Sequence, residues 1–119
     1  IRFKDKILIQ KRDSQMLNGL WEIPMKQTTL DSNYIEDFKK YIFDKYGHII
    51  SFKKIISEIE HIYSHFKMRL IVMDFINCDD VKNTGNSFSW ISKRDIDRYA
   101  FHRANHKVFK LFKSFNWDV

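Results

Sequence analysis

The chain has 119 residues, of which 44% are hydrophobic and 16% aromatic, enough for one domain with a real core and too apolar for a disordered segment. Lys and Arg number 21 against 15 Asp and Glu, and this net charge of +6 fits nucleic acid or another anionic surface as well as it fits a domain from a Lys-rich proteome. Cys78 stands alone, which excludes an internal disulfide and an iron–sulfur cluster held within the chain, and no apolar run approaches the roughly 20 residues that cross a bilayer. A lone cysteine and no visible signal peptide lead to the expectation of a reducing, cytoplasmic setting of the bacterial, nucleoid-associated type, with no membrane partner.

The chain opens at Ile1 and passes almost at once into a strand, so it reads as residues 1–119 of a single domain excised from a longer protein. Ile7 to Arg12 is predicted as a partly buried strand after a turn at Lys4-Asp5-Lys6. A polar loop from Asp13 to Asn18 leads through Gly19 into a short strand, Leu20 to Ile23, which Pro24 stops. Asn33 and Glu36 form a capping-box pattern, Ile35, Phe38, Ile42 and Tyr46 recur at helical spacing, and Gly47 ends the helix.

Phe52 to Glu60 and Phe66 to Asn77 are the next predicted strands, with His61 to His65 as the turn between them. Asn77 to Asp80 and Asn83 to Asn86 are turn material, and Phe88 to Ile91 is a last short strand. Ser92 is expected to cap a helix with Asp95 in the reciprocal position. A final helix would place Ala104, Val108, Leu111, Phe112 and Phe115 on one face. Strands, helix, strands and two helices make an α+β domain.

The segment His61-Ile62-Tyr63-Ser64-His65-Phe66, followed by Lys67-Met68-Arg69, puts an aromatic, a hydroxyl and an imidazole beside two cations. Such a set can stack on a base, hydrogen-bond its edge and hold neighbouring phosphates. If the strand has begun by His65, period-two alternation sets His65, Lys67 and Arg69 on one face and Phe66, Met68, Leu70 and Val72 on the other. The plainer readings stay open: a serine closing a hairpin, a half-buried tyrosine, and a solvated strand face. Metal binding is not expected, since His61 and His65 would lie about 13 Å apart in extended chain and the pair His102 and His106 has no Cys or carboxylate at a suitable spacing.

Three ordered segments resemble one family. Ile7 to Arg12 with Gly19-Leu20-Trp21-Glu22-Ile23-Pro24 resembles the opening of the Nudix fold, which also opens the C-terminal domain of the A/G-specific adenine DNA glycosylases, the MutY family. His61 to Phe66 resembles that family's aromatic-Ser/Thr-His loop, with Tyr63 where Phe is more usual. Trp90-Ile91, Tyr99-Ala100-Phe101 and the basic helix after them resemble its closing segment, with His102 where proline is often found. The resemblance implies a Nudix-like fold with a mixed or antiparallel sheet packed with helices.

Nudix hydrolases hold Mg²⁺ with several glutamates of one helix, in a signature ending Arg-Glu-aliphatic-x-Glu-Glu-x-Gly. With its glycine on Gly47, Lys40, Tyr41, Ile42, Phe43, Asp44, Lys45 and Tyr46 fall beneath it, leaving Asp44 as the one acid and Lys45 where a metal ligand is needed. No catalytic residue and no metal site are therefore expected in this chain.

What the family resemblance implies instead is lesion reading. 8-Oxoguanine has an N7–H donor and an O8 acceptor that guanine lacks, so the Ser64 hydroxyl could accept from N7–H while a backbone N–H donates to O8. Tyr63 would stack or wedge beside the base, and His65, Lys67 and Arg69 would contact phosphate or brace the loop. In that family a separate N-terminal catalytic domain carries the iron–sulfur cluster and removes adenine mispaired with 8-oxoguanine, so this chain would need no cofactor. Its implied partners are double-stranded DNA containing 8-oxoguanine:A and that domain. The alternative is a degenerate Nudix domain that binds a protein or a nucleotide.

Overall fold

The strand that carries Leu8 lies between two cores, because it is apolar on both faces. In a computed structural model, which describes residues 1–11, 20–29, 33–62, 64–79, 87–101 and 103–113, this strand is β2 (Lys6–Lys11). Ile7 and Ile9 turn to one side and Leu8 to the other, and none of the three is more than 2% exposed. Burying such a side chain contributes about 1.5–3 kcal/mol, so β2 anchors both layers.

The other strands are β1 (Arg2–Phe3), β3 (Trp21–Glu22), β4 (Ile50–Ile62), β5 (Lys67–Asn77) and β6 (Phe88–Ser92), and the helices are α1 (Tyr34–Tyr46) and α2 (Arg103–Lys113). The six described strands join one mixed sheet. β6 pairs antiparallel with one edge of β2, while β1 and β3 share the other. A single parallel bridge, Arg2 to Ile76, then joins β1 to the long antiparallel hairpin β4–β5. Because β1 is so short, the edge of β5 from Lys67 to Met73 has no strand beside it among the described residues, and a cleft lies there.

Helix α1 packs Ile42 and Tyr46 with Leu8, Ile50, Phe75 and Trp90. Its predicted caps are present: the Asn33 side chain accepts from Glu36 N, and Gly47 takes φ 73°, a left-handed angle that costs glycine little. On the opposite face Val108 and Phe109 of α2 pack with Ile7, Ile9, Val72, Ile91, Ile96 and Phe101. Arg2 and Asp74 form a buried two-point ion pair, Nε to Oδ1 at 2.7 Å and Nη2 to Oδ2 at 2.8 Å, which fastens β1 to β5.

The α+β arrangement with a mixed sheet holds, with several departures in detail. β4 is longer than predicted at both ends, so His61 and Ile62 belong to it rather than to a turn, while β5 begins at Lys67, one residue later than predicted. Ser92 precedes a 3-10 helix, Lys93–Arg98, and its hydroxyl donates to the Asp95 carboxylate at 2.8 Å instead of capping the backbone. The buried face of α2 runs through Asn105, Val108 and Phe109, with Leu111 only partly covered, because the helix turns Phe109 towards Phe101. The side chains of Ala104 and Phe112, the residue Phe115, the loop Asp13 to Asn18 and the segment Asn83 to Asn86 lie outside the described residues.

Candidate functional site

The last cross-strand pair of the β4–β5 hairpin is Ile62 with Lys67, so residues 63–66 make the connection at its tip. Ser64 and His65 form a bend and both are exposed, while Tyr63 lies outside the described residues. His61 lies in β4 and His65 on the bend, and His61 is buried at 7% exposure while His65 faces solvent. The alternation expected for the following strand is present from residue 67: Lys67 and Arg69 are exposed, whereas Met68 and Leu70 are partly covered and Val72 is buried. Phe66 precedes the strand and is 59% exposed, so it does not join the packed face.

Lys67 and Arg69 form no strip of unopposed cations. Lys67 Nζ lies 3.7 Å from a carboxylate oxygen of Glu60, and Arg69 Nε donates to Glu58 at 3.1 Å with its Nη2 on the same oxygen. The hydrogen bond and the charge of Glu58 push the Arg69 pKa up from its ordinary value. Both acids come from the neighbouring strand and face the cations diagonally through the hairpin register. A phosphate reaching either cation must compete with a carboxylate already in place.

On α1 Asp44 and Lys45, the positions expected to mark a lost metal site, are engaged, and so is Glu36 in the first turn. Asp44 pairs with Lys40 at 3.8 Å and Glu36 with Lys39 at 3.6 Å, all at the helix surface. Lys45 donates to the Tyr41 hydroxyl at 3.2 Å and lies over the Tyr41 and Tyr46 rings, 5.4 Å from each centroid. Among the described residues no three of His, Cys, Asp and Glu gather closely enough to hold a metal ion.

Beside the open edge of β5 lies a cleft of about 750 Å³, within the usual range for small-molecule sites. Leu70 and Val72 line it from β5, Asp37 and Phe38 from α1, Glu22 from β3 and Asn105 from α2. Asn105 is 1% exposed; its Oδ1 accepts from Ile23 N at 2.7 Å, and its Nδ2 has no hydrogen-bond partner among the described residues. Glu22 is held in place by Gln10, whose Nε2 donates to Glu22 Oε2 at 3.1 Å and whose Oε1 accepts from the Tyr46 hydroxyl. Sequence reading passed over Glu58, Glu60 and Asn105. The available signals were the two acids at alternate positions of a strand and an asparagine amid the apolar residues of a helix.

The sequence matches the NUDIX domain over residues 1–111. In three dimensions the chain is similar to the E. coli ORF135 protein, known from its solution structure, with a TM-score of 0.73 and 15% identity, covering 95% of this chain and 83% of that one. At that identity the likeness concerns the fold alone. None of the curated proteins matches the sequence. With the match running from β1 through both cores to the end of the packed face of α2, the chain belongs to the NUDIX domain family.

Proposed function

We propose that this NUDIX domain reads 8-oxoguanine opposite adenine, as the lesion-recognition domain of an adenine DNA glycosylase of the MutY type. The observation that carries the reading is the placement of Ser64 and His65, exposed on a bend at the tip of the longest hairpin of the sheet. A hydroxyl presented this way can enter a groove and accept from the N7–H that distinguishes the lesion from guanine. In this reading the chain confers opposite-base selectivity and does no chemistry. The adenine is removed by a separate catalytic domain, which would carry the iron–sulfur cluster. The pairing of Asp44 with Lys40, and Lys45 lying across two aromatic rings, support a domain that has given up Mg²⁺-dependent hydrolysis.

The test is a titration of isotope-labelled chain with 8-oxoguanine:A and G:A duplexes, following backbone amide shifts. Shifts at Ser64 and His65 that strengthen with the lesion are expected. Equal shifts with both duplexes would overturn the reading, and adenine release by the purified chain would overturn its non-catalytic part.

A second reading has its own observation. The cleft of about 750 Å³ with the unpartnered amide of Asn105 on its wall suits a nucleotide-binding module. Nucleotide-induced shifts at Ile23 and Asn105, with no response to either duplex, would favour it.

A further inference from the structure

The four cations of α2 stand out against the rest of the chain. Arg103, Lys107, Lys110 and Lys113 fall within eleven residues that contain no acid, a charge of +4 in one helix against +6 for all 119 residues. The charge is segregated by face as well. Asn105, Val108 and Phe109 are buried against the sheet, while His106, Lys107 and Lys110 are exposed. Lys107 and Lys110 lie three residues apart, so they are neighbours on the outer surface.

The fold also ties this face to the hairpin. Lys107 Nζ donates to the backbone oxygen of Glu60 at 3.1 Å, a residue two pairs from the end of β4. Glu60 thus meets two ammonium groups, Lys67 on its carboxylate and Lys107 on its carbonyl, with one negative charge between them. Lys67 and Arg69 each face a glutamate across the hairpin, whereas the helix brings its cations with no acid of its own. Among the described residues, Lys107 and Lys110 have no carboxylate within ion-pair distance, whereas Lys67 and Arg69 do.

We infer that the exposed face of α2, through Lys107 and Lys110, is a contact surface for the phosphate backbone of duplex DNA beside the Ser64 loop. This surface rests on the lesion-reading function, and it assigns the phosphate contacts to the helix rather than to Lys67 and Arg69. Phosphate contacts position a protein without reading sequence, so the helix sets affinity and register while the hairpin tip discriminates.

The test separates those two roles. Affinity of the full chain for an 8-oxoguanine:A duplex and a G:A duplex is measured over a series of salt concentrations. Each lost phosphate contact on B-DNA lowers the slope of log K against log salt by about 0.9. Lys110→Ala is expected to lower it by about 0.9 and Lys107→Ala/Lys110→Ala by about 1.8, with the ratio between the two duplexes unchanged. Arg69→Ala serves as the comparison and is expected to leave the slope close to that of the native chain. Lys110→Ala removes no hydrogen bond to Glu60, so its result holds even where the double variant loosens the helix. An unchanged slope in Lys110→Ala and in the double variant overturns the inference while leaving lesion reading intact. A lowered slope with equal affinity for both duplexes upholds the helix surface and overturns lesion reading. Absence of binding to either duplex overturns both.

Discussion

Arg69 and Glu58 face each other diagonally across β4 and β5, and the guanidinium gives both Nε and Nη2 to one carboxylate oxygen. The arrangement neutralises a cation that the sequence alone offers for phosphate binding. Glu58→Gln should expose that charge and tighten DNA binding by about two- to three-fold at low ionic strength, an effect that salt screens away. Arg69→Ala should change affinity by less than that. Fluorescence titration of both variants at 50 and 200 mM salt checks the order, and a large loss in Arg69→Ala would mean that Arg69 leaves Glu58 for the DNA.

Asn105 holds the segment after β3 to α2 through the bond from Ile23 N, a link between residues 82 positions apart. Asn105→Ala leaves that buried N–H without an acceptor, which costs about 1–3 kcal/mol. Chemical denaturation should show the loss. Hydrogen exchange at the Ile23 amide should quicken well beyond the change at β2, because the substitution removes the acceptor of that amide.

The readable and unreadable parts of the fold differ in where their information lies. β2 and α1 are legible because their signals are local: three consecutive apolar residues in one, and four apolar residues with a cap at each end in the other. β4 is only partly legible. Its register against β5 shifts between Phe52 and Lys54 and again between Ile55 and Ser57, so the period-two pattern changes phase twice within one strand. On α2 the predicted Val108 is buried and Leu111 partly covered, but the burial of Asn105 is not legible, because only its partner Ile23 N accounts for a polar side chain there. The loop at Ser64 could be picked out from its residues, but the state of Lys67 and Arg69 could not. Glu58 and Glu60 reach them only through the hairpin register, which no local pattern encodes.

Asp74 and Arg2 form the most enclosed ion pair described, at 3% and 6% exposure. Asp74→Ala would leave a guanidinium buried without its counter-ion, at a cost of about 3–5 kcal/mol. Replacing both partners, Arg2→Met with Asp74→Leu, should recover most of that loss, since the penalty comes from the stranded charge. Thermal unfolding of the single and double variants decides it. A double variant no better than the single one would show that the pair positions β1 for the bridge to Ile76.

Tyr46 gives the fold an alkaline limit. Burial pushes its pKa up to about 12 from the ordinary 10.0, against the opposing pull of Lys45. The folded state binds the phenolic proton more tightly than the unfolded state does. The stabilisation is therefore complete below pH 10 and is lost as pH rises from 10 towards 12. The loss should amount to about 2–3 kcal/mol by pH 12. Tyr46→Phe should abolish this step, and it should also lower stability at neutral pH because Gln10 loses its donor. Tyrosinate absorbance followed together with unfolding provides the measurement, and ionisation of Tyr46 near pH 10 in the folded chain would refute the assignment.

Ser64 offers the sharpest separation of stability from function. Its side chain is exposed on a bend, so Ser64→Ala should leave the unfolding midpoint within experimental error. A base contact of this kind is worth about 1–3 kcal/mol of discrimination, so the preference for 8-oxoguanine:A over G:A should fall by about 5- to 150-fold. Binding to the undamaged duplex and its salt dependence should persist, since neither depends on the hydroxyl. Ser64→Thr keeps the acceptor and should keep part of the preference. Equal preference in the native chain and in Ser64→Ala would move the reading of N7–H away from Ser64, to the backbone of the loop or to His65.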